Sequence, residues 1–274
     1  MSKTRGAPFL RASSAAAVFI AIAVMVFVLP AVAATPESAA SGTPILVYHR
    51  FGAVVADSMT VTTRAFEEQL RLIRARGYTV LPVQRLVAYF REEAPAPPRL
   101  SVVITADDGH RSVYTEMFPL VRDYGIPVTL FIYPSAISNA SYAMTWAELE
   151  ELAGSGLFDI QSHSYWHPHF RQEKRRLNTA DYERFTTMQL ARGRQELEAK
   201  LGIRVSLLAW PFGIYDPDLM RKAASLGYAA GFTLERRHAR VQDPIMALPR
   251  YLVTDADRGA RFERLLSGGA LASH

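Results

Sequence analysis

The stretch Leu100-Ser101-Val102-Val103-Ile104-Thr105-Ala106-Asp107-Asp108-Gly109, followed by Val113 to Tyr124, Gly125 and Val128-Thr129-Leu130-Phe131-Ile132-Tyr133, decides the fold. A short apolar run bounded by turn residues reads as a buried strand, a dozen residues stopped by glycine as a helix, and the second apolar run as the next strand. The same alternation extends both ways. Upstream, Ile45 to Tyr48 reads as a strand, Thr62/Thr63 caps a helix with Phe66, Leu70 and Ile73 on one face, and Gly77 stops it; Tyr78 to Leu81 and Val83 to Phe90 repeat the pair. Ala94 to Pro98 is a stiff connector. Downstream come a capped helix (Thr145 to Ala153), a strand (Phe158 to Ser162), a long helix (Tyr182 to Leu201), a strand (Ser206 to Trp210), a helix (Pro217 to Leu226) and a strand (Ala229 to Thr233). Repeated β-α units of this kind predict an α/β fold whose parallel strands close, or nearly close, into a barrel with helices outside.

The 274 residues are 49% hydrophobic and 21% charged, which excludes disordered and collagen-like chains and leaves one large domain, or one domain with a small appendage, with a core able to bury most of the unfolded surface. Cysteine is absent, so disulfides, iron–sulfur clusters and thiol nucleophiles are excluded. Lys3, Arg5 and Arg11 precede an apolar run from Ala15 to Leu29 and the small-x-small site Ala31-Val32-Ala33, which reads as a signal peptide over residues 1–33 with cleavage after Ala33. The expectation is an exported protein, periplasmic or associated with the cell envelope, with no stable membrane insertion once the signal is removed. Three of the 31 basic and none of the 26 acidic residues precede Ala34, so the remainder carries only +2. That is too little charge to imply nucleic acid.

In a parallel barrel, chemistry is expected where strands end. Four strands end in Asp107-Asp108-Gly109, in Tyr133-Pro134, in His163 with His167 four residues on, and in Pro211-Phe212-Gly213. Two adjacent carboxylates repel each other and lose solvation. A metal or a trapped proton resolves the conflict, one Asp ligating a cation while the other faces substrate as a base; the alternative is a plain turn with Gly109 at positive φ. His163 and His167 have zinc-ligand spacing if their loop doubles back, and Asp108 would complete a two-His, one-Asp set with a position open for water. His169 reads as a surface residue, His49 as a structural histidine at the same barrel end, and Trp146, Trp166 and Trp210 as half-buried core aromatics.

Thr105-Ala106-Asp107-Asp108-Gly109, His163-Ser164-Tyr165-Trp166-His167-Pro168 and Ala209-Trp210-Pro211-Phe212-Gly213 resemble, in order and spacing, three motifs of the polysaccharide deacetylases with a NodB-homology domain. Gly125 to Phe131, Met144 to Leu149 and Tyr48-His49 resemble further segments of that family. The resemblance spans residues 44–255. It implies a distorted (β/α)7 barrel, with 34–98 as an amino-terminal extension, 99–255 as the deacetylase core and 256–274 as a carboxy-terminal tail. It also implies metal-dependent removal of acetyl groups from an N-acetylated polysaccharide or oligosaccharide. Carried over by position, Asp107 is the general base, Asp108, His163 and His167 hold one divalent ion, with Zn²⁺ expected, and the backbone N–H of Phe212 helps hold the oxyanion.

Two departures stand out. Ala106 replaces the usual aromatic before the Asp pair, and Ala209-Trp210 stands where many members carry an Arg that orients the base. Arg250, opening a late strand after Pro249, is the candidate replacement. The usual late histidine acid is missing, and His238 reads as a solvated loop residue. Three functions are compatible with these residues: removal of N-acetyl groups from an N-acetylglucosamine-containing polysaccharide, another acyl hydrolysis such as peptidoglycan deacetylation or O-acetyl ester cleavage, and carbohydrate binding without catalysis.

Overall fold

A computed structural model describes residues 42–268, so the signal segment lies outside the described residues. Ten strands are present among them: β1 (Ile45–Tyr48), β2 (Arg50–Gly52), β3 (Thr60–Thr62), β4 (Thr79–Val80), β5 (Ser101–Asp107), β6 (Val128–Ile132), β7 (Phe158–Ser162), β8 (Leu207–Ala209), β9 (Ala230–Phe232) and β10 (Tyr251–Leu252). The main sheet runs β10-β1-β5-β6-β7-β8-β9, with every neighbouring pair parallel and β4 added beside β5. α-Helices cross between β5 and β6, β6 and β7, β7 and β8, and β8 and β9, as parallel pairing requires.

Closure is achieved by a split segment. Leu248 pairs with Phe232 of β9, its N–H reaching the Gly231 carbonyl and its own carbonyl accepting from Thr233, each at 2.8 Å. Three residues later Tyr251 and Leu252 pair with Leu46 and Val47 of β1. The chain therefore steps from one edge of the sheet to the other within residues 248–252 and closes a distorted seven-stranded barrel, the architecture that the family resemblance implies.

Alternation along the strands sorts the side chains between two faces. Val102, Ile104 and Ala106 of β5 join the large cluster under the helices, with Leu46, Leu130, Ile132 and Leu208. Val103 belongs instead to a second cluster with Ile45, Phe131, Leu207 and Phe232, closed off by Leu81, Val83, Leu86 and Val87. Thr105 and Asp107 share the parity of Val103, so the strand that carries the carboxylate sends it inward.

Most elements form where the residues predict them. Thr62 caps the helix Thr63–Ala75, its hydroxyl accepting from Ala65 N–H, and a Thr145/Glu148 capping box opens Trp146–Gly154. The helix expected over 113–124 starts instead as a π-turn, Val113–Met117, before Phe118–Tyr124. Pro119 has no N–H to donate back into that turn, so the ladder restarts around it. The segment expected as a tail forms a helix, Gly259–Ser267, that buries Phe262, Leu265 and Leu266. It also covers His238, which is buried with its Nε2 2.9 Å from the Leu265 carbonyl, contrary to the solvated-loop reading. Among the described residues no helix is long and apolar enough to cross a membrane.

Because Phe262 is fully buried, Phe262→Ala is expected to cost about 3–5 kcal/mol. Urea unfolding followed by circular dichroism measures it, and a loss below about 1 kcal/mol would show that this helix lies outside the cooperative core.

Candidate active site

The C-terminal ends of β1, β5, β7, β8 and the segment entering β10 meet at one mouth. Asp107 and Arg250 meet inside it. Both are buried, and the guanidinium grips the carboxylate with both arms, Nη1 to Oδ1 at 2.8 Å and Nη2 to Oδ2 at 2.7 Å. Arg250 also donates from Nε to the Thr233 carbonyl (3.1 Å) and from Nη1 to Thr105 Oγ1 (3.2 Å), and its guanidinium carbon lies 5.2 Å from the Phe131 ring centroid. Burial pushes the Asp107 carboxyl up, but the Arg250 charge, with His163, the paired hydrogen bonds and His49, overrides it and holds the pKa at about 2. The group's folded value is depressed, so its contribution to stability is complete above the ordinary value of 3.8 and is lost as pH falls through about 2.

Asp108 faces elsewhere because the backbone turns at it. Its φ is +74°, and Gly109 N–H bonds the Asp107 carbonyl at 3.0 Å, a γ-turn of the rarer, strained hand centred on Asp108. Gly109 itself has φ +79°. Asp108 Oδ1 is buried without a hydrogen-bond partner. It lies 3.6 Å from both His163 Nε2 and His167 Nε2. The His163 Nδ1 is 2.8 Å from the Ala209 carbonyl, which can only accept, so Nδ1 carries the proton and Nε2 presents a bare lone pair. Burial drives the pKa of His163 down to about 3 and that of His167 to about 4. These are therefore not ion pairs at neutral pH, and 3.6 Å is too long for hydrogen bonds. Burial and the neighbouring Asp107 raise the Asp108 carboxyl.

Three ligand atoms, one from each residue, lie within 4.8 Å of one another. Ligands about 2.1 Å from a tetrahedral ion stand about 3.4 Å apart, so the observed spacing fits one common ion, and the orphaned Asp108 oxygen is the atom that ion would satisfy.

The loop carrying His167 does double back, through Ser164 (φ +66°) and His167 (φ +64°). Ser164 Oγ accepts from His167 N–H, and Gln189 Oε1 of the helix Thr179–Leu201 accepts from Trp166 N–H. That helix approaches so closely that a Cβ at Gly193 would sit 2.5 Å from the Ser164 carbonyl carbon. A glycine in the middle of a long helical run was the sequence signal for this contact. With Phe212 (φ +57°), four of the six non-glycine residues at positive φ among the described residues lie in this one mouth, the clustering expected of a functional site.

Phe212 N–H has no hydrogen-bond partner among the described residues, and its ring lies 4.5 Å from that of His167. His169 caps the helix Phe170–Arg176, its ring tilted against that of Phe212 at 5.4 Å between centroids. His49 follows β1 at this end of the barrel, and its Nδ1 is buried without a hydrogen-bond partner. Trp210 is fully buried, whereas Trp166 is 49% exposed, contrary to the expectation of a core residue.

Such a mouth belongs to a hydrolase-type site on a parallel α/β barrel. The sequence profile of the polysaccharide deacetylases matches residues 94–231, and the chain belongs to that family. It is 26% identical over 231 residues to the poly-β-1,6-N-acetyl-D-glucosamine N-deacetylase of Escherichia coli K12, covering 72% of this chain and 34% of that protein. The chain thus spans about a third of that relative's length. It is 24% identical over 220 residues to the putative polysaccharide deacetylase YxkH of Bacillus subtilis, covering 80% and 74%. Among solved structures, IcaB of Ammonifex degensii superposes with a TM-score of 0.71 at 26% identity, over 84% of this chain and 98% of that one.

The contact at Gly193 generates a specific expectation. Gly193→Ala should force the Ser164 backbone away and misplace His167, lowering affinity for an added divalent ion on the order of 10- to 100-fold with the fold retained. Calorimetric titration with Zn²⁺ against circular dichroism checks this, and unchanged affinity would show that the helix does not set the loop.

Proposed function

We propose that this protein is an exported, metal-dependent deacetylase that removes N-acetyl groups from an N-acetylglucosamine-containing polysaccharide. The observation that carries the reading is the separation of two adjacent carboxylates into different roles: Asp107 gripped by Arg250, and Asp108 orphaned between two neutral imidazoles. The names of the E. coli relative and of the family support the polymer and the acyl group; the signal-like residues 1–33 support export.

Asp108, His163 and His167 would hold the ion, and two imidazoles with one carboxylate suit Zn²⁺. A bound divalent ion supplies polarisation of the acetamide carbonyl and a lowered pKa for the attacking water. Asp107 accepts that water's proton; each of its oxygens keeps a lone pair beside the one engaged by Arg250. Phe212 N–H, held outward by its left-handed backbone, donates to the oxygen that gains charge as water adds. The unpartnered Nδ1 of His49 makes that side chain the candidate to return a proton to the departing nitrogen, so that C–N cleavage yields acetate and a free amine. The presence of both carboxylates and both imidazoles favours this reading over a lapsed, purely sugar-binding site.

Asp107→Asn should retain zinc and fold yet lose acetate release on the order of 10²- to 10⁴-fold, the usual contribution of a general base. Asp108→Asn should lose zinc affinity and recover partly at high zinc, because an amide oxygen still binds an ion but cannot take a proton from water. Acetate release from poly-β-1,6-N-acetylglucosamine, measured with elemental analysis of the same samples, reads both. Near-normal turnover by Asp107→Asn would overturn the mechanism.

A further inference from the structure

Singly exposed hydrophobic side chains need no explanation, but three exposed aromatic rings, Tyr142, Trp166 and Phe212, lie in segments that meet at the ligand cluster. Phe212 packs on two histidines and Trp166 on Phe185. Tyr142 is different. It is 43% exposed, yet it is fixed at several points. Its hydroxyl is 2.6 Å from that of Tyr133, whose ring lies 5.3 Å from His167. Its carbonyl accepts from Arg111 N–H at 2.8 Å, and two residues on Met144 N–H donates to the Gly109 carbonyl at 3.0 Å. The segment is thereby zipped to the turn that leaves Asp108, and the ring is held at a set distance from the site.

The residue beneath the ring is held equally firmly. His110 lies parallel to Tyr142, at 11° between planes and 6.1 Å between centroids. The Ser112 backbone N–H donates to His110 Nδ1 at 3.2 Å, so the Ser112 hydroxyl, 2.8 Å from the same nitrogen, donates to it too while its oxygen accepts from Phe51 N–H at 2.8 Å. Nδ1 thus accepts, and the ring hydrogen must sit on Nε2. No partner for Nε2 is present among the described residues. An open aromatic face and a fixed N–H donor side by side are what a pyranose reads: the ring covers its C–H face and the donor meets a hydroxyl or carbonyl oxygen. Because both groups are already ordered, binding costs little side-chain entropy.

We infer that Tyr142, backed by His110, is the platform for the sugar next to the one being deacetylated, and that it makes the enzyme select chains over single sugars. The inference rests on the deacetylase reading and deepens it. Its occupant is a neutral N-acetylhexosamine ring of the same polymer.

The test compares the β-1,6-linked N-acetylglucosamine pentamer with methyl N-acetylglucosaminide as substrates of the zinc-loaded protein, and measures pentamer binding by calorimetry to the Asp107→Asn form. The wild type should prefer the pentamer in kcat/KM by tenfold or more. Tyr142→Ala should erase about tenfold of that preference, mainly in KM, and weaken pentamer binding by a similar factor with zinc content unchanged; Tyr142→Phe, which keeps the face, should keep most of both. His110→Ala should lower pentamer binding in the same direction. Acetate release with a preference unaffected by Tyr142→Ala overturns the platform and leaves the deacetylase reading standing. Pentamer binding that depends on Tyr142 without acetate release overturns the deacetylase reading and leaves the platform. A wild type that neither binds nor deacetylates the pentamer overturns both.

Discussion

The structure depends on a charge pair that water cannot reach. Arg250 and Asp107 are 143 residues apart in sequence, and each would be intolerable alone in the barrel interior. Removing one partner of such a pair costs about 3–5 kcal/mol because the other is left buried and uncompensated. Arg250 can reach Asp107 only because the chain crosses from β9 to β1 within 248–252, so barrel closure and preparation of the carboxylate are one event. The Phe131 and Phe232 rings and the Thr233 carbonyl hold the guanidinium so that its donors point one way. A carboxylate held in this manner stays ionised and oriented, at the expense of intrinsic basicity.

Backbone geometry then gives the neighbouring carboxylate a separate task. Strand alternation sends Asp107 inward, and the γ-turn at Asp108 turns the next side chain toward the two histidines. Left-handed residues at 108, 164, 167 and 212 each carry strain that the surrounding sheet must absorb. What the strain provides is convergence: donors from β5, β7 and the β8 turn would otherwise diverge from their strand ends. The same turn, through the Gly109 carbonyl and Arg111 N–H, fixes the segment bearing Tyr142, so the Asp108-His163-His167 cluster and the proposed sugar platform share one frame.

Much of this was legible in the residues. The β-α alternation gave the barrel, and the ordered Asp-Asp, His-x-x-x-His and Pro-Phe-Gly segments gave the cluster, because local spacing and strand ends suffice for both. Arg250 was legible as a cation opening a late strand, but its reach required the closure of the barrel, which no local pattern contains. His238 was misread because its burial comes from the helix Gly259–Ser267, whose Phe262, Leu265 and Leu266 spacing was present in a segment treated as a tail. Trp166 was misread for the opposite reason: it sits on a loop whose direction is set by Ser164 and Gly193, far from any periodic signal. Tyr142 and His110 had no sequence signature at all, since their meeting depends on hydrogen bonds between two turns.

The most direct measurement of the central claim is the pH–rate profile of acetate release by the zinc-loaded Arg250→Met protein beside that of the wild type, with zinc content and circular dichroism as checks on the site and the fold. Without the guanidinium, burial is left to act on Asp107 and raises its carboxyl, so the acidic limb should move to higher pH while zinc stays bound. Superimposable acidic limbs would contradict the claim that Arg250 holds the catalytic carboxylate ionised.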